Sequence, residues 1–135
     1  MKRIQWDNGL SVGVGLLDAQ HMNLAKLINE LGDALDRDEG RSVLAEVIKQ
    51  LRLYASYHFS SEERLLRSYS YPQYDAHRRE HQDFIEQVED FALDLRSGVK
   101  GVSADLHEFL FQWFGSHIQQ EDMRYAAFLK ERGVS

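Results

Sequence analysis

The chain contains no cysteine. That absence excludes disulfides, thiolate zinc sites and cysteine-ligated iron–sulfur clusters, so any metal must be held by imidazole and carboxylate. No run of basic residues is present and the formal charge is −6, which argues against nucleic acid or an anionic membrane as partner. No stretch approaches the roughly 20 apolar residues of a membrane span. The start, Met1-Lys2-Arg3-Ile4-Gln5-Trp6-Asp7, lacks the apolar centre of a signal peptide. A cytoplasmic protein without membrane insertion is expected. Alternating strand patterns and internal repeats are missing too. With 135 residues the chain is the size of one domain, 1–135, with a core burying roughly two thirds of the surface the unfolded chain exposes.

What is present is helical periodicity. Residues 1–17 carry Trp6, Asn8-Gly9 and Gly13-Val14-Gly15, too glycine-rich for a helix, and read as an ordered arm anchored by Trp6. Asp18 is a candidate N-cap for a helix of about 18–36, with Leu24, Leu27, Ile28, Leu31 and Leu35 on its apolar stripe and His21 beside them. Ser42 can cap a second helix, about 42–68, on which Leu44, Val47, Leu51, Tyr54, His58, Glu62 and Leu65 share a face. Pro72, the only proline, is placed to end it and let a third helix, about 74–97, run back. That helix turns His77, His81, Phe84, Val88, Phe91 and Leu95 inward and stops at Gly98. Ser103 can cap a fourth, about 103–132, with Leu106, Leu110, Trp113 and His117 on its stripe. Four amphipathic helices with short connections predict an all-α, up-down-up-down four-helix bundle with an N-terminal arm.

Six histidines then need explaining. His58 with Glu62, and His77 with His81, are spaced i, i+4, a step that turns about 40° and rises about 6 Å on a helix. Each pair is a bidentate clamp pointing inward. A buried imidazole or carboxylate without a partner is costly, and a shared metal removes that cost. His117 and Asp122 are five residues apart, about 140° on an α-helix. Both reach one centre only if the helix loosens locally, as in a π-bulge, or if the aspartate approaches obliquely; otherwise Asp122 is solvated beside Glu121. His107 lies one residue off its stripe and reads as surface or structural.

Five imidazoles and two carboxylates are too many ligands for one tetrahedral zinc and too rich in nitrogen for magnesium or calcium. Two metals fit. If Glu62 and Asp122 both bridge, five histidines divide as three and two, and with an oxo or hydroxo bridge one metal is full while the other keeps a vacant position. This mixed ligation suits iron, with manganese and zinc as other occupants.

These residues resemble a known family. His21 in Asp18-Ala19-Gln20-His21, then Tyr57-His58-Phe59-Ser60-Ser61-Glu62-Glu63, then Tyr71-Pro72 followed by His77 and His81, then Trp113 with His117-Ile118 and Asp122, are similar to the hemerythrins. The arm around Trp6 and Tyr125 look like the bacterial branch, the bacteriohemerythrins. The resemblance implies a non-haem di-iron centre with an oxo or hydroxo bridge that binds dioxygen reversibly. It places His77, His81 and His117 on one iron, His21 and His58 on the other, with Glu62 and Asp122 bridging, and it requires no catalytic residue.

A protein that stores, delivers or senses dioxygen is therefore expected. An alternative is a di-iron oxidase or peroxidase; carboxylate-rich di-iron enzymes pair glutamates with fewer histidines, and imidazole-rich ligation favours reversible binding. A sensor domain cut from a larger signalling protein is a further alternative. Leu24, Phe59 and Trp113, each within a turn of a ligand, are candidates for the walls of an oxygen pocket at the two-histidine iron. Their other role is ordinary core packing.

Overall fold

The computed structural model describes residues 2–134, apart from the side chain of Asn8. Among them the only regular elements are helical: α1 (Gly15–Asp36), α2 (Gly40–Tyr54), a π-helical segment (Ala55–Phe59), α3 (Ser60–Ser68), α4 (Tyr74–Arg96), α5 (Val102–Trp113), a second π-helical segment (Phe114–Asp122) and α6 (Met123–Glu131), after a short turn at Asn8–Leu10. The two π segments join their neighbours end to end, so the elements form four antiparallel rods, at 15–36, 40–68, 74–96 and 102–131. The rod at 15–36 packs on those at 40–68 and 102–131, and so does the rod at 74–96, which makes a four-helix bundle. No helix among the described residues is long and apolar enough to cross a membrane.

The ends differ in detail from expectation. Gly13, at φ +78°, breaks the arm, and α1 begins at Gly15 with Val14 as N-cap. Asp18 does not cap; it sits in the first turn, where its carboxylate accepts hydrogen bonds from the Val12 amide (2.8 Å) and the Ser11 hydroxyl (2.6 Å) and ties the arm down. Ser42 and Ser103 likewise lie inside their helices, whose N-caps are Glu39 and Gly101. The second rod ends before Pro72: Ser70 takes a left-handed φ of 54°, and the Tyr71 amide reaches back to the Leu66 carbonyl at 2.9 Å. Such a left-handed closure satisfies the last carbonyls of a helix, and proline after it prevents the helix from resuming. Gly98, at φ +73°, ends α4 as its position implied.

Two apolar clusters bracket a polar layer. The larger gathers Ile28, Leu31, Leu44, Leu51, Phe84, Leu106, Leu110 and Phe114, with Trp6 half-buried against it. The smaller gathers Val12, Leu17, Leu66, Tyr71, Tyr125 and Leu129; among the described arm residues before α1, Leu10 and Val12 are buried, while Trp6 only leans on the bundle. Leu66 fills the buried position in α3, and Leu65 lies at the edge of this cluster. Between the two, all seven of His21, His58, Glu62, His77, His81, His117 and Asp122 are at most 3% exposed.

Candidate metal centre

The regular helix α4 presents His77 and His81 from successive turns, with ring centroids 4.7 Å apart. α1 contributes His21, and the second rod contributes His58 from its π segment and Glu62 from the first turn of α3. His117 and Asp122 both come from the π segment Phe114–Asp122. In π winding the backbone bonds run from i to i+5, so residues five apart lie on one face. Of the readings the sequence left open for Asp122, the loosened helix is the one adopted, and the aspartate is fully buried.

The side chains converge in two groups. Glu62, His77, His81 and His117 offer donor atoms that lie within 4.8 Å of one another, and so do His21, His58, Glu62 and Asp122. Glu62 divides its two oxygens between them. Its Oε1 contacts His77 Nε2, lies 2.9 Å from His81 Nε2 and 4.0 Å from His117 Nε2; its Oε2 lies 3.0 Å from His58 Nε2 and 3.6 Å from His21 Nε2. Asp122 does the same, with Oδ1 at 3.1 Å from both His77 and His117 Nε2 and Oδ2 at 3.0 Å from His21 Nε2. Yet both Asp122 oxygens and His117 Nε2 are buried without a well-directed hydrogen bond. These atoms face a common space more than they face each other, an arrangement that costs free energy unless a cation lies among them. Oxygen and nitrogen donors of this kind fit borderline transition metals.

Outer groups fix the rings. The Nδ1 of His58 donates to Gln20 Oε1 (2.6 Å), and that of His81 donates to Glu63 Oε2 (2.9 Å). Glu80 Oε2 lies 3.4 Å from His117 Nδ1. The Tyr125 hydroxyl donates to Glu62 Oε2 at 2.9 Å. Phe59 stacks on His81 (3.9 Å, 4°), Trp113 on His117 (4.2 Å, 12°) and Tyr54 on His58 (4.9 Å, 18°). Gln20, Tyr54, Glu63 and Glu80 were not singled out as site residues from the sequence. The available signal was adjacency, since Gln20 precedes His21, Glu63 follows Glu62 and Glu80 precedes His81; each partner, however, lies on another rod, which adjacency does not give.

Of the three expected pocket walls, Leu24, Phe59 and Trp113 are all buried. Phe59 and Trp113 stand against His81 and His117, in the three-histidine group, although the Phe59 ring also lies 5.8 Å from that of His58. Leu24 is one turn beyond His21 on α1. His107 is buried in α5 outside the cluster, with Phe111 6.4 Å away, which makes it structural and not a surface residue. Burial lowers its pKa.

The protein charges are arranged as in a set of ion pairs. Burial pushes the imidazoles of His21, His77 and His117 toward neutrality, but Asp122 and Glu62 outweigh it and raise them from 6.5 to about 9, 10 and 9. His58 goes the other way, because its burial exceeds the pull of Glu62. Burial alone would raise Glu62, yet His58, His21 and His77 hold it well below the usual carboxylate range. Asp122 is also depressed: burial and Glu62 oppose its ionisation, and His117 and His21 outweigh them. The Tyr54 and Tyr125 hydroxyls are pushed well above 10, first by burial and then by the two carboxylates.

A histidine and carboxylate centre buried in a four-helix bundle defines a class, and comparison with known proteins places the chain in it. The family model of the hemerythrin HHE cation binding domain matches residues 12–129, so the chain belongs to the hemerythrin family. It is 32% identical over 130 residues to a bacteriohemerythrin of Stenotrophomonas maltophilia, covering 96% of this chain and 84% of that one. A bacteriohemerythrin of Pseudomonas aeruginosa is 32% identical (93% and 80% covered), and a myohemerythrin of Theromyzon tessulatum 31% identical (90% and 89%). A crystal structure of a hemerythrin carrying a leucine-to-tyrosine mutation superimposes with a TM-score of 0.78 at 27% identity, covering 94% of this chain and 97% of that one.

Proposed function

We propose that the chain binds dioxygen reversibly at a non-haem di-iron centre, as a protein that stores, delivers or senses the gas and not as an oxidase or peroxidase. The observation that carries this reading is the division of each buried carboxylate between two histidine groups, one oxygen to each. Single-metal sites do not need two shared carboxylates; a pair of metals does. His77, His81 and His117 would hold one iron, His21 and His58 the other, with Glu62 and Asp122 bridging and an oxo or hydroxo group completing the pair. The hemerythrin and bacteriohemerythrin relatives support iron and dioxygen as the occupants.

Two irons, when bound, supply the two electrons that reversible dioxygen binding requires. The protein's share is to hold, orient and exclude water. Tyr125 fixes the Glu62 oxygen that faces His21 and His58. Gln20 and Glu63 set the tautomers of His58 and His81 by accepting from Nδ1, which leaves Nε2 as the ligating atom, and Glu80 places a carboxylate 3.4 Å from His117 Nδ1. Leu24, Ile28, Phe59 and Phe114, all buried, keep water from the layer. The open position belongs on the side of His21 and His58, which brings one imidazole fewer. We place residues 1–135 in one hemerythrin-like domain acting in the cytoplasm.

Oxygen titration of the reduced, iron-loaded protein tests the function. One dioxygen per two irons, released again under argon, is expected; consumption of oxygen with continuous turnover of a reductant would contradict it. Azide, a small anion that ligates ferric iron, should occupy the His21 and His58 side in a crystal of the complex.

A further inference from the structure

The two histidine groups differ in what stands behind them. An imidazole that ligates through Nε2 carries its proton on Nδ1, and the acceptor of that proton sets how strongly the ring donates. His81 donates to the Glu63 carboxylate at 2.9 Å, whose other oxygen lies 3.7 Å from Arg78 Nε. His117 Nδ1 lies 3.4 Å from the Glu80 carboxylate, an ion-pair separation without a well-directed hydrogen bond. His58, by contrast, donates to the neutral amide oxygen of Gln20 at 2.6 Å, and His21 Nδ1 is buried without a partner. The three-histidine group is thus backed by two anions and the two-histidine group by none. Ring stacking does not separate the groups, since Phe59 and Trp113 stack on His81 and His117 and Tyr54 stacks on His58.

Resting on the two-metal reading above, we propose that Glu63 and Glu80 are positioning residues that make the two metal sites unequal, so that His77, His81 and His117 take the first metal ion and hold it more tightly, while the amide of Gln20 keeps the site of His21 and His58 the weaker. A carboxylate acceptor draws the Nδ1 proton toward itself, enriches Nε2 and places a negative charge near the cation where little water screens it. An amide does none of these to the same degree. The weaker site is the one with the free position, so a protein short of metal fills the closed site first.

The test is titration of the metal-free protein with cobalt(II) against a competing chelator. Visible absorption follows each step, and the paramagnetically shifted Nδ1–H signals of the bound histidines show which group fills. Two steps are expected, the first bringing up signals from three histidines. Outer partners of ligating histidines are typically worth about 10- to 100-fold in metal affinity, so Glu63→Gln and Glu80→Gln should each weaken the first step by that factor and leave the second within about twofold. Gln20→Glu should strengthen the second step and narrow the gap, a gain that misfolding cannot imitate. Signals from two histidines in the first step would overturn the proposal. So would Glu63→Gln and Gln20→Glu variants that leave the ratio of the two steps unchanged. Binding of one cobalt or none would instead overturn the two-metal reading itself, whereas two ions bound with equal affinity would overturn the inequality alone.

Discussion

His77 and His81 stand four residues apart on a helix that is α-helical throughout, whereas His117 and Asp122 stand five apart on a rod that is π-wound from Phe114 to Asp122. Both pairs deliver their donors to the same buried layer. The spacing in the sequence therefore dictates the winding: four residues match the α repeat, while five would put the second side chain about 140° away unless the helix takes in an extra residue. The rod at 40–68 repeats the lesson differently. His58 and Glu62 are four apart, but a π segment at Ala55–Phe59 precedes the carboxylate and lets Tyr54, Ala55, His58 and Phe59 all be buried.

Adding one more residue to the π segment should have the largest effect. Insertion of an alanine after exposed Gln119 would put His117 and the aspartate six residues apart, turn α6 by about 100° relative to the bundle and carry Tyr125 and Leu129 out of their cluster. Elemental analysis is expected to find fewer than two metals per chain, and thermal melting a loss of several kcal/mol, at least that of emptying two core positions. A variant that keeps both metals and its stability would show that the π segment is incidental.

Replacing Asp122 by alanine spares the backbone and tests only the shared carboxylate. One metal should be lost or bound much more weakly, the other retained by His77, His81, His117 and Glu62. If both metals stay bound, the division of Asp122 between the two groups has no bearing on ligation.

The metal-free and loaded proteins should respond to pH in opposite senses. In the metal-free protein His21, His77 and His117 titrate at about 9, 10 and 9, above the ordinary 6.5, so their contribution is full below 6.5 and is lost as pH rises through 9 to 10. Glu62 and Asp122 are depressed, so theirs is present above about 4 and is lost in acid. His58 and His107, which burial holds toward the neutral form, cost stability as pH falls below 6.5, so the metal-free fold is most stable near about pH 6.5. Metal binding requires the imidazoles neutral, so loading near pH 7.5 should release protons, one each from His21, His77 and His117, and the loaded protein should lose metal below about pH 6. Melting curves against pH for the two forms, with dye-monitored proton release, check this. Loading without proton release would contradict the ion-pair arrangement.

The smallest effect is expected from Tyr125→Phe. It deletes one hydrogen bond to a buried carboxylate, worth about 1.5–3 kcal/mol in the metal-free fold, while two metals remain bound.

The inward stripes of the four rods were legible because leucine, isoleucine and phenylalanine recur at helical spacing, and the His58, Glu62, His77 and His81 pairs because four residues return to one face. Asp122 was only half legible: its five-residue offset announced an irregularity without saying which, since a solvated aspartate obeys the same spacing. Gln20, Glu63 and Glu80 escaped because their partners lie across rods, and a polar residue beside a ligand looks like any solvated position. Asp18, Ser42 and Ser103 were misread as caps since the glycines at 13, 40 and 101 shift each helix start a few residues earlier. Trp6 drew notice by size, yet Leu10 and Val12 carry the arm's buried contacts.

The central claim is that Glu62 and Asp122 join two irons into one centre. Mössbauer spectroscopy and magnetic susceptibility of the oxidised, iron-loaded protein, with iron and protein counted on the same sample, test it most directly. Two irons per chain, antiferromagnetically coupled to a diamagnetic ground state, are predicted. One iron per chain, or two that behave as isolated paramagnets, would contradict the account.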